Sequence, residues 1–240
     1  MKNNFIDITF DVRTDSNGKD PDSASKTLRY YHKLLWSKTL PSGKVFNLED
    51  TKENIYLYHN SALGEYNLSS DSIIHTYCKW KRTQHIIIQV PSDEINSFYN
   101  LGYTVGGFLI FPGNKINGLN TINQERGTNQ RINDRIDLTL ECIRRYYNED
   151  DSPLFETFKR YSNFFELFVN FKGYCEYFLL EDLVDENFST IKFFLPFEGF
   201  ITNPLPNSLN EYNEYKKNNI DFIKKRNERI LNYNSTLDIN

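Results

Sequence analysis

The chain has 240 residues, a net charge of −4, 39% hydrophobic and 15% aromatic residues, enough for a packed core and too much for wholesale disorder. Eleven glycines and eight prolines exclude a collagen-like or linker chain, and a pI near 5.7 excludes a uniformly basic nucleic-acid binder. No apolar run approaches the about 18 residues of a membrane span, and the start MKNNFIDITFDV lacks a signal-peptide core, so a cytoplasmic protein without a membrane segment is expected.

Phe5, Ile6, Ile8, Phe10 and Val12 have a rough period of two and predict a strand over residues 5–12, running into the turn-rich DSNGKDPD. Ser23 or Ser25 then caps a predicted helix over residues 26–36, with Leu28, Tyr31 and Leu35 on its inner face. Short strands are expected at residues 44–48 and 55–59, whereas residues 72–90 mix β-branched residues with no clear period. A short helix suits residues 95–100 after Pro91, and residues 103–111 read as a buried strand whose Gly106-Gly107 pair implies a bulge or a close backbone approach.

The strongest periodicity begins at Asn133, read as a helix cap, with Ile136, Leu140, Ile143 and Tyr147 on one side and Asp137, Glu141 and Arg144 on a separate, solvated face. Fifteen Phe or Tyr residues between Leu154 and Phe200 predict a dense core, and residues 191–195 a last strand. Residues 209–234 form an amphipathic closing helix that carries the basic run KKRNER. With no long linker, the expectation is a single α+β domain over residues 1–240, with a small sheet, several packed helices and an aromatic-rich C-terminal half. Cys78, Cys142 and Cys175, odd in number and far apart, read as reduced thiols.

Chemistry concentrates in a few stretches. Residues 121–145 hold Arg126, Arg131, Arg135, Arg144 and Arg145 with four acids, in a loop that enters a helix, the kind of place where anions are gripped. The competing reading of Asp137, Glu141 and Arg144 is an ion-pair ladder. Lys26, Arg29 and Lys33 recur on one side of the first helix and suit a phosphate track or a plain solvated face. His32, His59, His75 and His85 are the natural acid–base candidates. His75 and Cys78 lack a second ligand pair for zinc, and Asp15, Asn17, Asp20 and Asp22 lack the glutamate of a calcium loop, so no metal site is expected. The Walker, dinucleotide, nucleophile-elbow and HExxH motifs are absent.

The strings YHKLLWSKTLPSG, LSSDSIIHTY, TVGGFLIFPGN, TINQERG and DLTLECIRRYY resemble a family of uncharacterised bacterial proteins of about this length, over roughly residues 10–200. The resemblance implies a stand-alone bacterial domain and no mechanism. The leading expectation is an enzyme or effector acting on nucleotide or nucleic-acid phosphate, in phage defence. In it His32, His75 and Glu141 are catalytic, while Lys33, Asp71, Asn123, Arg126, Arg131 and Arg135 bind substrate; no cofactor is assigned. Two alternatives stand beside it: an ADP-ribosyltransferase-like NAD-using enzyme built on His59, Ser69 to Ser72 and Glu141, and a protein-binding module or homo-oligomer that uses the C-terminal helix.

Overall fold

The computed structural model describes residues 5–50 and 56–237, with side chains to residue 235. Residues 5–12 form turns rather than the predicted strand. Asp7 and Asp11 explain the difference: Asp7 Oδ1 accepts from Thr9 N (2.8 Å) and Asp11 Oδ1 from Arg13 N (3.0 Å), so each aspartate closes a local turn that competes with extension. The alternating apolar residues still point inward, with Ile6 and Val12 fully buried.

After this segment comes the one-turn helix α1 (Pro21–Ala24), capped by Asp20, then α2 (Lys26–Trp36), whose cap Ser25 accepts from Leu28 N at 3.0 Å. Leu28, Tyr31, Leu35 and Trp36 form its buried face. A minimal ribbon follows, β1 (Lys38–Thr39) against β2 (Val45–Phe46). The second sheet is antiparallel in the order β3 (Leu57–Ser61), β4 (Gly64–Ser72), β5 (Phe108–Pro112), with Asp71 opposite Leu109. Ile55, the predicted start of a strand, lies outside the described residues.

Ser72 ends β4, residues 73–90 are irregular apart from α3 (Gln84–Ile87), and α4 (Ser92–Gly102) precedes β5. Between α4 and β5 the chain passes through a 3-10 turn at Val105–Gly107. A β-carbon at Gly107 would sit 2.0 Å from Gly102 O and one at Gly106 2.4 Å from Asn227 Oδ1, which is the close approach the glycine pair implies. The other helices are α5 (Ile122–Thr128), α6 (Ile136–Tyr147), α7 (Phe155–Arg160), α8 (Ser162–Glu166), α9 (Phe171–Tyr177) and α10 (Leu209–Leu237).

The helix expected from Asn133 starts at Ile136, because Asn133 (φ 46°) and Asp134 (φ 64°) both adopt left-handed backbone. Its supposedly solvated face is buried: Asp137 is fully covered and Glu141 nearly so. The strand expected at residues 191–195 reduces to one bridge, Val184 with Ile191, since the Phe194 amide donates instead to Asp137 Oδ2 at 2.8 Å. One hydrophobic core runs from Ile6 to Ile230 and takes in most of the aromatic segment, from Phe158, Phe164 and Phe165 to Tyr174 and Phe178. Among the described residues the architecture is therefore α+β, with two small sheets under a helical majority.

The basic run of α10 is split: Lys224 and Lys225 are exposed, whereas Arg226 and Asn227 turn inward. Arg226 is fully buried and donates to Gly106 O (2.7 Å), Phe108 O (2.8 Å) and Phe178 O (3.1 Å), while Arg229 pairs with Asp182 at 2.6 Å. No helix among the described residues is long and apolar enough to cross a membrane. The three cysteines are free thiols, Cys142 and Cys175 buried and Cys78 half-buried.

Candidate functional site

Beside the C-terminal end of β4 lies a cleft of about 360 Å³, lined by Asp22, Asp71, Asp134, His75 and Ser72 together with the rings of Trp80, Tyr99 and Tyr103. Each acid arrives by a different route. Pro21 at the first position and Asp20 as cap set α1, which turns Asp22 against the end of the sheet, where its Oδ2 accepts from Ser72 N at 3.2 Å. Asp71 is the penultimate residue of β4. Asp134 stands in the left-handed turn between α5 and α6.

Arg126 on α5 joins two of these acids from below. It is fully buried; its Nη1 is ion-paired with Asp71 Oδ2, its Nη2 lies 3.6 Å from Asp134 Oδ1, and its Nε donates to Thr139 Oγ1 at 3.0 Å. The arrangement places one guanidinium among more than one carboxylate, so the acids are not fully compensated. Burial, reinforced by the Asp20 charge, pushes the Asp22 carboxyl up to about 7. Burial also drives the Asp71 carboxyl up to about 8, against the pull of Arg126 and with Asp134 and Asp22 adding to the rise. These two groups therefore exchange protons in the neutral range, where an ordinary aspartate does not.

His75 completes the polar wall. Its Nδ1 accepts from Tyr77 N at 3.0 Å, which assigns the ring proton of the neutral form to Nε2. Burial holds its pKa below the usual histidine value, with Asp134 pulling upward and Arg126 downward. Neutral His75 is thus a hydrogen-bond donor at Nε2. The ring stacks on Tyr77 (4.7 Å, 28°) and meets Trp80 edge-on at 5.2 Å. Among the described residues, no group of three His, Cys, Asp or Glu side chains has the geometry to hold a metal ion.

Of the nine residues singled out in the sequence, Asp71 and His75 line this cleft and Arg126 supports it. The others are placed elsewhere. His32 is fully buried, its Nδ1 is 3.0 Å from the Tyr56 hydroxyl, and burial pulls its pKa down to about 3, so it stays neutral inside the core. Glu141 is held by Arg144 (2.8 Å) and Arg145 (2.7 Å), the geometry of the ion-pair ladder, and does not line the cleft. Lys33 pairs with Asp50 at 2.6 Å, and Arg29 of the same stripe lies 5.0 Å from the centre of the Tyr56 ring. Asn123 donates to Ser69 Oγ and Ser70 O and so buttresses β4. Arg135 is buried against Asp137 and Pro204 O, and Arg131 is exposed. His59, needed for the NAD reading, has both ring nitrogens engaged, by Asn47 O (2.6 Å) and Ser61 Oγ (2.8 Å).

Asp22 and Asp134 are the functional candidates that pattern reading passed over. Asp22 was legible only as the last acid of a turn whose calcium chemistry was incomplete, and Asp134 only as one of four acids among the arginines. The signal that could have found Asp134 is the pair Asn133-Asp134, two residues that tolerate left-handed backbone, directly before a helix. No curated protein and no solved structure matches the chain. A family model does match, from residue 6 to residue 230, and the chain belongs to that family, a family of unknown function designated DUF6994.

Proposed function

We propose that the cleft is an acid–base catalytic site for an uncharged, ring-bearing polar substrate, a sugar or a nucleoside. The observation that carries this reading is the convergence of Asp22, Asp71 and Asp134, from three separate stretches of chain, on one cleft with His75 and aromatic walls. In this reading whichever of Asp22 and Asp71 holds the proton acts as general acid and its ionised neighbour as general base. The Nε2–H of His75 holds a substrate oxygen, and Trp80, Tyr99 and Tyr103 offer ring faces to the substrate. Asp134 Oδ1 is covered and lies 3.6 Å from Arg126 Nη2, so Asp134 acts in this reading through its charge on the cleft rather than through that oxygen.

Phosphate handling, expected from the arginines, draws little support from their placement. Arg126 faces Asp71 and Asp134, Arg135 faces Asp137, and the cleft itself is rich in carboxylates that repel an anion. Lys79 is the one cation among its lining residues.

The test is a turnover and binding survey of the full chain with neutral nucleosides and nitrophenyl glycosides, each nucleoside paired with its 5′-monophosphate. The neutral member of each pair should bind more tightly. Asp22→Asn and Asp71→Asn should each lower turnover by about two decades or more, because each removes a proton-transfer partner. Preference for the monophosphates, or wild-type Asp22 and Asp71 carboxyls that titrate near 4 by carbon-detected NMR, would overturn the reading.

A further inference from the structure

Tyr77 is fully buried at the back of the cleft, and three of its groups are committed to residues that shape it. Its backbone is left-handed (φ 57°), a conformation that is strained for a residue with a β-carbon and persists where surrounding contacts impose it. That conformation delivers the Tyr77 N–H to His75 Nδ1, while the Tyr77 carbonyl accepts from Thr83 Oγ1 at 2.9 Å. The ring stacks on His75, and the hydroxyl donates to Asn133 O at 2.7 Å. Asn133 O belongs to the peptide that joins Asn133 to Asp134, so gripping it sets the plane from which Asp134 departs. A phenylalanine would fill the same space but lose the hydroxyl's bond to that peptide and its contact with the Tyr215 hydroxyl.

We infer that Tyr77 is the positioning residue of the cleft, tying His75 on one wall to Asp134 on the other through one buried side chain. The inference rests on the acid–base reading of the site. It is braced by α10: Tyr215 donates to His75 O (2.7 Å), Tyr212 donates to Thr76 O (2.9 Å), and the Tyr215 ring packs 5.3 Å from that of Tyr77. The C-terminal helix thereby backs the wall of the site without lining the cleft itself.

Tyr77→Phe keeps the ring, the stacking and the backbone N–H and deletes the hydroxyl's contacts, with Asn133 O and with the Tyr215 hydroxyl on α10. Asp71 shares its surroundings with Asp22, Asp134, His75 and Arg126, with Asp20 behind Asp22 and Lys79 also lining the cleft. The Asp134 charge raises the Asp71 midpoint, so an Asp134 that swings away lets that midpoint fall. In carbon-detected NMR titrations of the full chain, Tyr77→Phe should lower the Asp71 midpoint by about half a pH unit or more and leave His75 in its Nε2–H tautomer. The matched control is Tyr177→Phe, which deletes another buried hydroxyl bond, to Trp36 O, at a residue that does not line the cleft. It should cost similar thermal stability and leave Asp71 unmoved. Two variants that both lower the melting temperature while neither moves Asp71 would overturn the inference.

Should Tyr77→Phe fail to fold, the unaltered protein decides. Its Tyr77 hydroxyl proton must exchange slowly and cross-relax with the Asp134 amide proton; free exchange overturns the inference. Failure of the acid–base reading has a different signature, ordinary carboxyl midpoints for Asp22 and Asp71 in the wild type.

Discussion

Arg126 and Arg135 flank the same left-handed turn, both are buried and both pair with aspartate, yet they build opposite kinds of site. Arg135 faces one acid. It grips both oxygens of Asp137 and donates to Pro204 O at 2.9 Å, and Asp137 also accepts from Phe194 N; the two side chains are 2% and 0% exposed. Arg126 faces two acids, with Asp22 close by, and Asp71 and Asp134 keep 18% and 23% of their side chains open to the cleft. Residue type therefore does not separate a closed ion pair from one with unmatched charge. The charge count and the opening to solvent do. A closed one-to-one pair has nothing left to offer a ligand, whereas surplus carboxylate in a half-open cleft holds protons near neutral pH.

Three substitutions probe that contrast. Asp137→Ala has the largest expected effect, because it strands the Arg135 charge in the core and removes the acceptor of Phe194 N; about 3–5 kcal/mol of stability should disappear at neutral pH in denaturant unfolding. A loss below about 1 kcal/mol would show that water reaches Arg135 and that the closed site is not closed.

Asp22→Asn should act in the other direction and only at high pH. The Asp22 midpoint is raised from an ordinary value near 3.8 to about 7 in the folded chain, so between those values the folded state holds more protons than the unfolded one. Stability contributed by this group is complete below about 4 and is lost as pH rises toward 7. The asparagine variant should match the wild type at pH 4 and be more stable by an amount of order 2 kcal/mol at pH 8, read from urea midpoints at both values. Equal stability at pH 8 would mean that Asp22 ionises without cost and that the cleft is more solvated than its walls suggest.

Glu141→Gln is the smallest perturbation. Glu141 is nearly covered but its partners Arg144 and Arg145 are 22% and 30% exposed and can rehydrate, so the lost charged hydrogen bonds should cost about 1–2 kcal/mol, with the Asp71 midpoint unchanged in the same titration. A displaced Asp71 midpoint would show that α6 transmits to the cleft through Arg126 and Thr139, and would blur the line between the two arginine sites.

Much of the scaffold was legible. The cap Ser25, the inner face of α2, the stripe of α6, the aromatic core and the closing helix all follow from local spacing, because burial of an amphipathic face leaves a periodic trace. Elements that depend on a partner were less so. Residues 5–12 alternate like a strand but pair with no strand among the described residues, and in residues 191–195 the Phe194 amide goes to Asp137. The candidate cleft was legible in part: Asp71, His75 and Arg126, which line or support it, stood out within dense polar strings, while Asp22 and Asp134 carried no periodic signal at all.

What the sequence determined by itself is the class of fold, the free thiols and the positions of the long helices, since each depends on local composition and spacing. What only the tertiary structure decided is which charges meet. Glu141 and Asp71 look equally reactive as letters, and so do His32 and His75. Packing closes Glu141 between two arginines, seals His32 in the core, and leaves Asp71 and His75 at an opening. The physical reason is that a carboxylate or imidazole acquires its chemistry from desolvation and from charges within a few ångströms, and those neighbours come from segments far apart in the chain.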